Sequence, residues 1–398
     1  MLELLLAGCD HVETPAELDA RLRLGHPLTV KFGVDPTGSR LHLGHAIALH
    51  KLQQFVELGH RVSLLIGDFT AKIGDPTGRS ATRPPLDDAQ IAENMRTYRE
   101  QAGKVLDLER VEIAYNSQWL APLRFADLIA LFSKITVAQL LARNDFAQRY
   151  ASGTPIALHE LVYPVAVAYD SVAMRADVEL GGSDQLFNLL LGREYQAGAG
   201  QPKQICMTLP ILEGTDGVAR MGKSRGNDVG LSDPPEEQFG KLMRIPDEMI
   251  VRYAELAAFQ APTTLARLRA ELAAGSLHPM DAKKAVAAEI VGRYWGAEAA
   301  RSARERFEAT VQRGEAPGEM ASVAAADWKS LAEVLVATGL AASKREGERL
   351  IAGGGVRIDG EAVVDPRARW QGRPPVVLSV GARRFVRIVA AAGEGATP

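Results

Sequence analysis

A short apolar run, a glycine-containing turn and a long amphipathic run follow one another near the amino end of the chain. The first run, residues 28–32, contains β-branched and aromatic side chains, which is typical of a strand. From Leu43 to Val56, apolar residues recur every three or four positions until Gly59, and this spacing predicts a helix. A strand that passes through one turn into a helix is the building unit of parallel α/β sheets. The feature therefore favours an α/β fold.

Two histidines lie at the start of the predicted helix. His42 and His45 are three residues apart, so they share one helix face. The unpaired backbone N–H groups and the positive dipole end of a helix favour an anion there. Gly44 has no Cβ and would let a flat base or sugar approach the backbone. The segment predicts a nucleotide site, although histidines that only cap or pack would give the same local pattern.

A second segment, residues 218–227, contains three cations together with glycine and serine residues. The cations are Arg220, Lys223 and Arg225. Taken alone, such a loop is also typical of an ordinary solvated surface. A polyphosphate that is being cleaved nevertheless needs mobile positive charge of this kind. The two segments together favour phosphate chemistry over a purely structural role for either.

Both segments match known signatures. His42-Leu43-Gly44-His45 resembles the HIGH signature of class I aminoacyl-tRNA synthetases, and residues 220–224 resemble their KMSKS loop. The segments that further resemble bacterial tyrosyl-tRNA synthetases in order and spacing are 33–37, 73–79, 169–171 and 181–185. The resemblance extends over essentially the whole chain. By resemblance, the chain is identified as a member of the bacterial tyrosyl-tRNA synthetase family that has a C-terminal ribosomal-protein-type RNA-binding domain.

The resemblance implies a reaction in two steps. The carboxylate of L-tyrosine attacks the α-phosphorus of ATP, which gives tyrosyl-adenylate and pyrophosphate, and a terminal ribose hydroxyl of tRNA(Tyr) then takes the tyrosyl group. No protein nucleophile is required, so catalysis consists mainly of positioning and charge stabilisation. The implied catalytic residues are Thr37, His42, His45, Arg79, Arg83, Arg220 and Lys223. The implied ATP-binding residues are Gly33, Asp35, Gly44, Gly182, Asp184, Met221, Lys223 and Ser224.

The implied tyrosine site is centred on Asp170. A buried acceptor placed for the phenolic hydroxyl would be left unpaired by phenylalanine, which is a strong basis for rejection. A helix-side carboxylate near Arg175 is the alternative for this residue. The implied contacts of the tyrosine ammonium and carboxylate are Asp75, Tyr163 and Gln185.

Three positions depart from the family pattern. Val167 stands where many relatives have a glutamine that contacts the ligand ammonium, and valine offers no polar group. Lys31 stands where the best-known branch has a tyrosine that shares the phenol contact. Arg220 takes the first lysine position of the loop, which keeps the charge but changes its geometry. Val167 and Lys31 are retained as predicted tyrosine-site positions, and the departures bear on tyrosine affinity and specificity.

The composition fits a cytoplasmic enzyme. The chain has 398 residues, of which 46% are apolar, enough for two or three domain cores. Cys9 and Cys206 are far apart in sequence, so neither a disulfide framework nor a zinc cluster is indicated. No apolar stretch approaches the roughly 18 residues needed to span a membrane, and the amino end lacks a signal-peptide layout. We expect ATP to be used with Mg²⁺ held mostly by phosphates and water, and no dedicated protein metal site.

The domain organisation is predicted from the alternation of elements and from the family. The fold class is α/β: a Rossmann-like parallel-sheet catalytic domain with a helical insertion, then an α-helical domain and a small α+β RNA-binding domain. In the family, the insertion carries the homodimer contact and the helical domain binds the anticodon side of tRNA. The predicted boundaries are 1–230 for the catalytic domain, about 114–163 for the insertion, 231–313 for the helical domain, 314–328 for a linker, 329–390 for the RNA-binding domain and 391–398 for a tail.

The predicted terminal module is basic. Between Lys329 and Val389 there are 11 Lys and Arg residues against 6 Asp and Glu residues, a net charge of +5 in a chain whose total is −3. This charge predicts a polyanionic partner. The module resembles one shared by a ribosomal small-subunit protein and pseudouridine synthases, which implies that one helix face contacts RNA; a solvated charged helix is the alternative. The residues implied on that face are Ser343, Lys344, Arg345 and Arg349.

Two other functions are compatible with the sequence. One is an RNA-binding paralogue that has lost activation chemistry, which Val167 favours and the intact His42, His45 and Lys223 disfavour. The other is a related enzyme with a different substrate, either a tryptophan ligase or a small-molecule adenylyltransferase. Asp170 disfavours the tryptophan ligase, and the basic terminal module disfavours the adenylyltransferase.

Overall fold

The computed structural model of the protein describes residues 1–36, 38–77, 86–313, 320–381 and 384–390. Contacts divide the chain into two compact units, which are residues 1–234 with 241–294 and residues 235–240 with 295–398. Three predicted site residues, Thr37, Arg79 and Arg83, lie outside the described residues. So do residues 314–319 of the predicted linker and the predicted tail 391–398.

In the described part of the chain, the first unit is built around a six-stranded sheet. Its strands are β1 His11–Glu13, β2 Thr29–Val34, β3 Arg61–Ile66, β4 Val111–Tyr115, β5 Val178–Gly182 and β6 Ile205–Leu209. They lie in the order β1-β6-β5-β2-β3-β4, with β1 antiparallel to β6 and the other neighbours parallel. This confirms the predicted Rossmann-like parallel sheet. The order reverses between β2 and β5, and ligands of open parallel sheets bind outside the carboxyl ends of such strands.

Helix α3, Leu43–Glu57, follows β2 as the apolar spacing predicts. It begins after His42 because that residue has an extended backbone, with φ −132° and ψ 173°. Its inward side chains Leu49, Leu52 and Phe55 are fully buried. The other helices through residue 295 are α1 Leu2–Leu6, α2 Pro15–Arg23, α4 Thr70–Ile73, α5 Asp88–Ala102, α6 Ser117–Leu120, α7 Phe125–Phe132, α8 Val137–Leu141, α9 Asn144–Ala151, α10 Val162–Met174, α11 Leu186–Gly198, α12 Pro235–Leu242, α13 Ile250–Leu256, α14 Pro262–Ala273 and α15 Pro279–Trp295. Short 3₁₀ helices lie at Leu158–Leu161, Ser183–Gln185, Lys223–Arg225 and Asp247–Met249.

The insertion begins later than the sequence pattern suggests. Ala114 and Tyr115 belong to β4, where they pair with Leu65 and Ile66, so the inserted helices start with α6 rather than at Ala114. The strand signal at this edge of the sheet is weak because β4 buries only Val111 and Ala114. None of the helices in the described residues combines the length and apolarity that crossing a membrane requires.

The second unit contains the basic module, which is α+β as predicted. From residue 295 onward, the elements of the second unit are α16 Ala297–Phe307, a π-helical turn Glu308–Gln312, β7 Ala321–Ala324, α17 Leu331–Ala337, α18 Lys344–Ala352, β8 Val356–Ile358, β9 Glu361–Val363, β10 Val376–Val380 and β11 Arg384–Val389. The sheet order is β7-β11-β10-β8-β9, and Leu335, Ile351 and Leu378 share its core. Strand β7 lies inside the predicted linker and pairs in parallel with β11. Its small side chains give little strand signal, so the sequence pattern missed it.

Candidate active site

A cleft of about 1140 Å³ opens at the carboxyl ends of β2 and β5, where the strand order reverses. Every described residue of the predicted catalytic, ATP-binding and tyrosine-binding sets lines this cleft. We distinguish two parts of its wall. The signature side consists of residues 40–45 and 220–227, and the Asp170 side consists of Asp170 with Lys31 and Glu179.

His42 and His45 are held by the first turn of α3. His42 is the N-cap residue, and its backbone N–H donates to Nδ1 of His45 at 3.2 Å. Burial, together with the nearby His45 and Arg40, lowers the pKa of His42 to about 2, and burial lowers the pKa of His45 to about 4. Both rings are therefore neutral at pH 7. Because Nδ1 of His45 accepts a hydrogen bond, the ring proton of His45 is on Nε2.

Gly44 lies close to the side chain of His42. A Cβ at this position would lie 3.1 Å from the imidazole of His42, which is closer than ordinary contact. The imidazole centroids of His42 and His45 are 3.9 Å apart, so little room remains for displacement. The buried Nδ1 of His42 has no hydrogen-bond partner among the described residues. The protein thus leaves part of this ring's polar capacity unused.

Backbone hydrogen bonds join the first signature segment to the residues that directly follow the second. The N–H of Leu43 donates to the carbonyl of Val229 at 3.0 Å, and the N–H of Leu231 donates to the carbonyl of Leu41 at 3.0 Å. The chain that leaves the second segment therefore runs beside the start of α3. Segments that are far apart in sequence are joined in one wall of the cleft.

The second segment forms a loop with an ordered base. Its Lys223–Arg225 turn is followed by Gly226 in the left-handed region at φ +66°, which favours glycine. The buried Asn227 ties the loop together, since its Oδ1 accepts from the N–H of Gly222 at 2.9 Å. Of the predicted ligand-binding residues in the loop, Lys223 and Ser224 are exposed and Met221 is buried.

The cations of the signature side differ in their partners. Nη1 of Arg220 lies 3.2 Å from Oδ2 of Asp184, so two predicted site residues form an ion pair. Lys223 forms no ion pair with another described residue. Arg40, which the sequence did not single out, is paired with the buried Asp233 and also lines the cleft. In the described part of the chain, no group of three or more His, Cys, Asp or Glu side chains is placed to hold a metal ion.

Helix α10 presents Tyr163, Val167 and Asp170 to the cleft, because residues four and three positions apart share a helix face. The hydroxyl of Tyr163 donates to Oδ2 of Asp35 at 3.0 Å, and Oγ1 of Thr70 donates to Oδ1 of Asp35 at 2.7 Å. Burial, with the nearby charge of Asp35, raises the pKa of Tyr163 well above its usual value. Tyr163 is therefore a neutral, oriented phenol, and Val167 contributes apolar surface only.

Asp170 is a buried acceptor. Its Oδ1 accepts from Nε1 of Trp119 at 2.7 Å, and its Oδ2 accepts from Nδ2 of Asn116 at 3.3 Å. Burial raises the pKa of Asp170 to about 6, although the charge of Lys31 acts in the opposite direction. Among the described residues, the hydrogen-bond partners of this carboxylate are thus Trp119 and Asn116.

A buried ion pair lies beside Asp170. Lys31 and Glu179 are register partners on β2 and β5, and Nζ of Lys31 is 3.1 Å from Oε1 of Glu179. Oε2 of Glu179 also accepts from Oγ of Ser171 at 3.0 Å and from Nε2 of Gln204. Lys31 is thus part of the predicted tyrosine site together with a carboxylate that the sequence reasoning missed.

A hydrogen bond joins Asp75 and Gln185. Nε2 of Gln185 donates to Oδ2 of Asp75 at 2.9 Å, and the N–H of Thr77 donates to Oδ1 of Asp75 at 2.9 Å. The buried guanidinium of Arg143 lies 3.7 Å from Oδ1 of Asp75 and donates to the Thr77 hydroxyl. Arg143 comes from the insertion, where an arginine among helical residues gives no sign that it is buried.

Some of the missed residues did leave a signal in the sequence. Asn116 follows a strand directly, which places a polar group at the ligand-binding edge of a parallel sheet. Lys31 and Glu179 put opposite charges inside two apolar strands, where an unpaired charge would be costly. Arg40 lies two residues before His42. Trp119 left no comparable signal.

In the second unit, α18 carries the predicted RNA-contacting residues. Ser343 is its N-cap, and Oγ of this serine accepts a backbone hydrogen bond from the first turn. Nζ of Lys344 is 2.8 Å from Oε1 of Glu333. Arg345 and Arg349 are one turn apart and exposed. The two arginines therefore face solvent, whereas Ser343 and Lys344 also make contacts within the module.

The chain is similar to known proteins over nearly its full length. The chain is 48% identical over 372 residues to the tyrosine-tRNA ligase of Thermotoga maritima, covering 94% of this chain and 93% of that protein. It is 48% identical over 390 residues to the tyrosine-tRNA ligase of Thiobacillus denitrificans, covering 97% and 98%. The fold is similar to that of the tyrosyl-tRNA synthetase of Archaeoglobus fulgidus complexed with L-tyrosine, with a TM-score of 0.63 and 24% identity over 76% of this chain and 98% of that one.

Family models cover most of the chain. Residues 330–369 match the S4 domain, within the basic module. Residues 23–312, which include both signature segments and the whole cleft wall described above, match the family of class I tRNA synthetases for tryptophan and tyrosine. Together with relatives of 48% identity over nearly the full length, these matches show that the chain belongs to the class I (W and Y) tRNA synthetases.

Proposed function

We propose that this protein is a tyrosine-tRNA ligase, which activates L-tyrosine with ATP and transfers it to tRNA(Tyr). The observation that carries the proposal is a single cleft that contains both signature segments and the buried Asp170. A triphosphate needs the hydrogen-bond donors and cations that the signature segments provide. A phenolic hydroxyl needs an acceptor such as Asp170. The 48% identical relatives are themselves tyrosine-tRNA ligases.

In the activation step, the tyrosine carboxylate attacks the α-phosphorus of ATP, which binds as its Mg²⁺ complex. The neutral His42 and His45 donate hydrogen bonds to phosphate oxygens, and Nε2–H of His45 is available because its Nδ1 is already occupied. Both lie at the start of α3, where the helix dipole favours the same negative charge. Thr37 is a further donor in this proposal, a role that rests on the family alone.

Lys223 binds the departing pyrophosphate. Its side chain is exposed at the cleft and forms no ion pair with another described residue, so its charge is free to meet a ligand. Arg220 exchanges Asp184 for phosphate oxygens, which leaves Asp184 to the ribose. Arg79 and Arg83 join these cations on the basis of the family alone. The remaining nucleotide contacts in this proposal are Gly33, Asp35, Gly44, Gly182, Met221 and Ser224.

The amino acid binds on the Asp170 side. Asp170 accepts the hydrogen bond of the phenolic hydroxyl, and Asp75, Tyr163 and Gln185 hold the ammonium and carboxylate groups. The hydrogen bonds from Gln185 to Asp75 and from Tyr163 to Asp35 support this assignment, because they orient these side chains. Val167 adds an apolar contact in place of an amide.

The partners of the enzyme are assigned to separate segments. Residues 231–313 and 329–390 contact tRNA, the latter through Arg345 and Arg349. The insertion supplies a homodimer contact, which its exposed Phe125 and Leu158, 78% and 80% accessible, support. In this proposal the linker 314–328 lies between the tRNA-binding segments, and its residues 321–324 form β7 of the basic module. The proposal places the enzyme in the cytoplasm with its tRNA substrate.

Amino-acid-dependent ATP–pyrophosphate exchange across a panel of amino acids tests the proposal. We expect exchange with tyrosine and little with phenylalanine or tryptophan. Absence of exchange with every amino acid would favour the RNA-binding paralogue, and exchange driven by another amino acid would favour a ligase of different specificity.

A further inference from the structure

We propose that Lys31 and Glu179 act with Asp170 as a recognition unit for both hydrogen-bonding functions of a phenol. Asp170 accepts from the hydroxyl, and Lys31, held by Glu179, donates to the same oxygen. The inference rests on the proposed function and names the determinant of its amino-acid selection. It adds Glu179 to the tyrosine site and assigns Lys31 the role of a hydrogen-bond donor.

The three charged groups share one wall of the cleft. Lys31 and Glu179 are register partners on neighbouring strands, with Nζ and Oε1 3.1 Å apart, and they are only 1% and 3% exposed. Asp170 lines the same cleft and is 2% exposed. The charge of Lys31 opposes the effect of burial on the pKa of Asp170, so the ammonium lies within electrostatic reach of that carboxylate.

Glu179 uses more of its hydrogen-bonding capacity than Lys31 does. Glu179 accepts from Ser171 and Gln204 in addition to its contact with Lys31. An ammonium has three donors, and among the described residues Glu179 is the partner in contact with that of Lys31. Burying a charge is costly unless its bonding capacity is met. The lysine therefore offers donors to an acceptor that enters the cleft.

A phenol is the side chain that satisfies both charges. Its oxygen donates one hydrogen bond, which Asp170 takes, and accepts another, which Lys31 supplies. Phenylalanine offers neither function. The indole N–H of tryptophan only donates, and the amino group of 4-aminophenylalanine donates well but accepts poorly. A site with Asp170 alone would bind any of these donors, whereas a site with both charges selects the phenol.

The first experiment uses the unaltered protein. We measure kcat/KM for ATP–pyrophosphate exchange with tyrosine and with 4-aminophenylalanine, which matches tyrosine in size. We expect a preference for tyrosine of about 10-fold or more, because the analogue forfeits the charged hydrogen bond from Lys31. Equal values for the two amino acids would overturn the inference.

The second experiment uses the double variant K31M/E179Q. Methionine keeps the length of the lysine without its charge, and the glutamine amide still accepts from Ser171 and Gln204, so the fold is expected to survive. The preference for tyrosine over 4-aminophenylalanine should fall by about 10- to 100-fold. An unchanged preference would show that the pair is only structural. If circular dichroism shows that the variant is unfolded, the first experiment decides alone.

Lys51→Met is the matched control. Lys51 is also buried, but its Nζ donates to the carbonyls of Leu4, Leu5 and Ala7, away from the cleft. Its loss should leave the tyrosine preference unchanged, and an equal loss of preference in this variant would overturn the inference. No exchange with tyrosine by the unaltered protein contradicts the proposed function itself, whereas exchange with an unaltered preference in K31M/E179Q contradicts only this inference.

Discussion

The two sides of the cleft are built in opposite ways. On the signature side the polar groups include two neutral imidazoles and an exposed lysine, Lys223, on a loop. On the Asp170 side the charged groups are buried, and each is in contact with another protein group. In the proposed function, the side that contacts a changing phosphate is open, and the side that rejects wrong amino acids is closed and already ordered by hydrogen bonds.

The contrast follows from the cost of burying charge. A charge in the interior is stable only when it is paired, so it strongly disfavours any ligand that leaves it unpaired. A charge in water is cheaper to hold and screened by salt, but its side chain is free to move. Selection and rate are thereby separated in space, and substitutions on the two sides should affect different kinetic constants.

Lys223→Gln should have the largest effect. Loss of the cation that meets the leaving pyrophosphate should lower kcat for adenylate formation by about 100- to 1000-fold, with little change in KM for tyrosine. Single-turnover formation of the adenylate measures this, and Lys203→Gln, at a partly exposed lysine outside the cleft, is the control. A rise in KM for tyrosine with unchanged kcat would contradict the division between the two sides.

Asp170→Asn should act on selection. The amide keeps the shape of the acid but loses its charge, so kcat/KM for tyrosine should fall by about 10- to 100-fold, while kcat/KM for phenylalanine stays the same. Pyrophosphate exchange with the two amino acids is the measurement, with Asp19→Asn, at a partly exposed carboxylate outside the cleft, as the control. A parallel fall for both amino acids would point to a structural role.

The pH dependence should differ between the two amino acids. The pKa of Asp170 is raised to about 6 by burial; Lys31 on β2 and the donors Trp119 and Asn116 lower it, and Glu179 on β5 raises it. Below pH 6 the carboxyl group binds a proton, so kcat/KM for tyrosine should fall about tenfold per pH unit. The value for phenylalanine should stay level from pH 7 to 5, because the histidines are neutral throughout. Parallel profiles would contradict this prediction.

Val167→Gln should have the smallest effect. An amide at this position adds one hydrogen bond to the tyrosine ammonium, so KM for tyrosine should fall by about 5-fold with kcat unchanged. Steady-state kinetics measures the change, and Val167→Met is the apolar control. An unaltered or higher KM in the glutamine variant would show that another group already fills this role.

The sequence predicted local features better than partnerships. The β2-α3 unit was predictable because its apolar spacing and its histidines lie within 30 residues of each other. The partners of Asp170 were not, because Asn116 and Trp119 reach it only after β4 and α10 are packed on the sheet. Strand β7 was missed because alanine and serine carry little packing information. Burial of Arg143 depends on the fold of the insertion, which no spacing rule describes.

The backbone hydrogen bonds between residues 41–43 and 229–231 attach the carboxyl end of the 220–227 loop to the start of α3. A displacement of the exposed Lys223 would therefore not require α3 or the buried Asp170 to move.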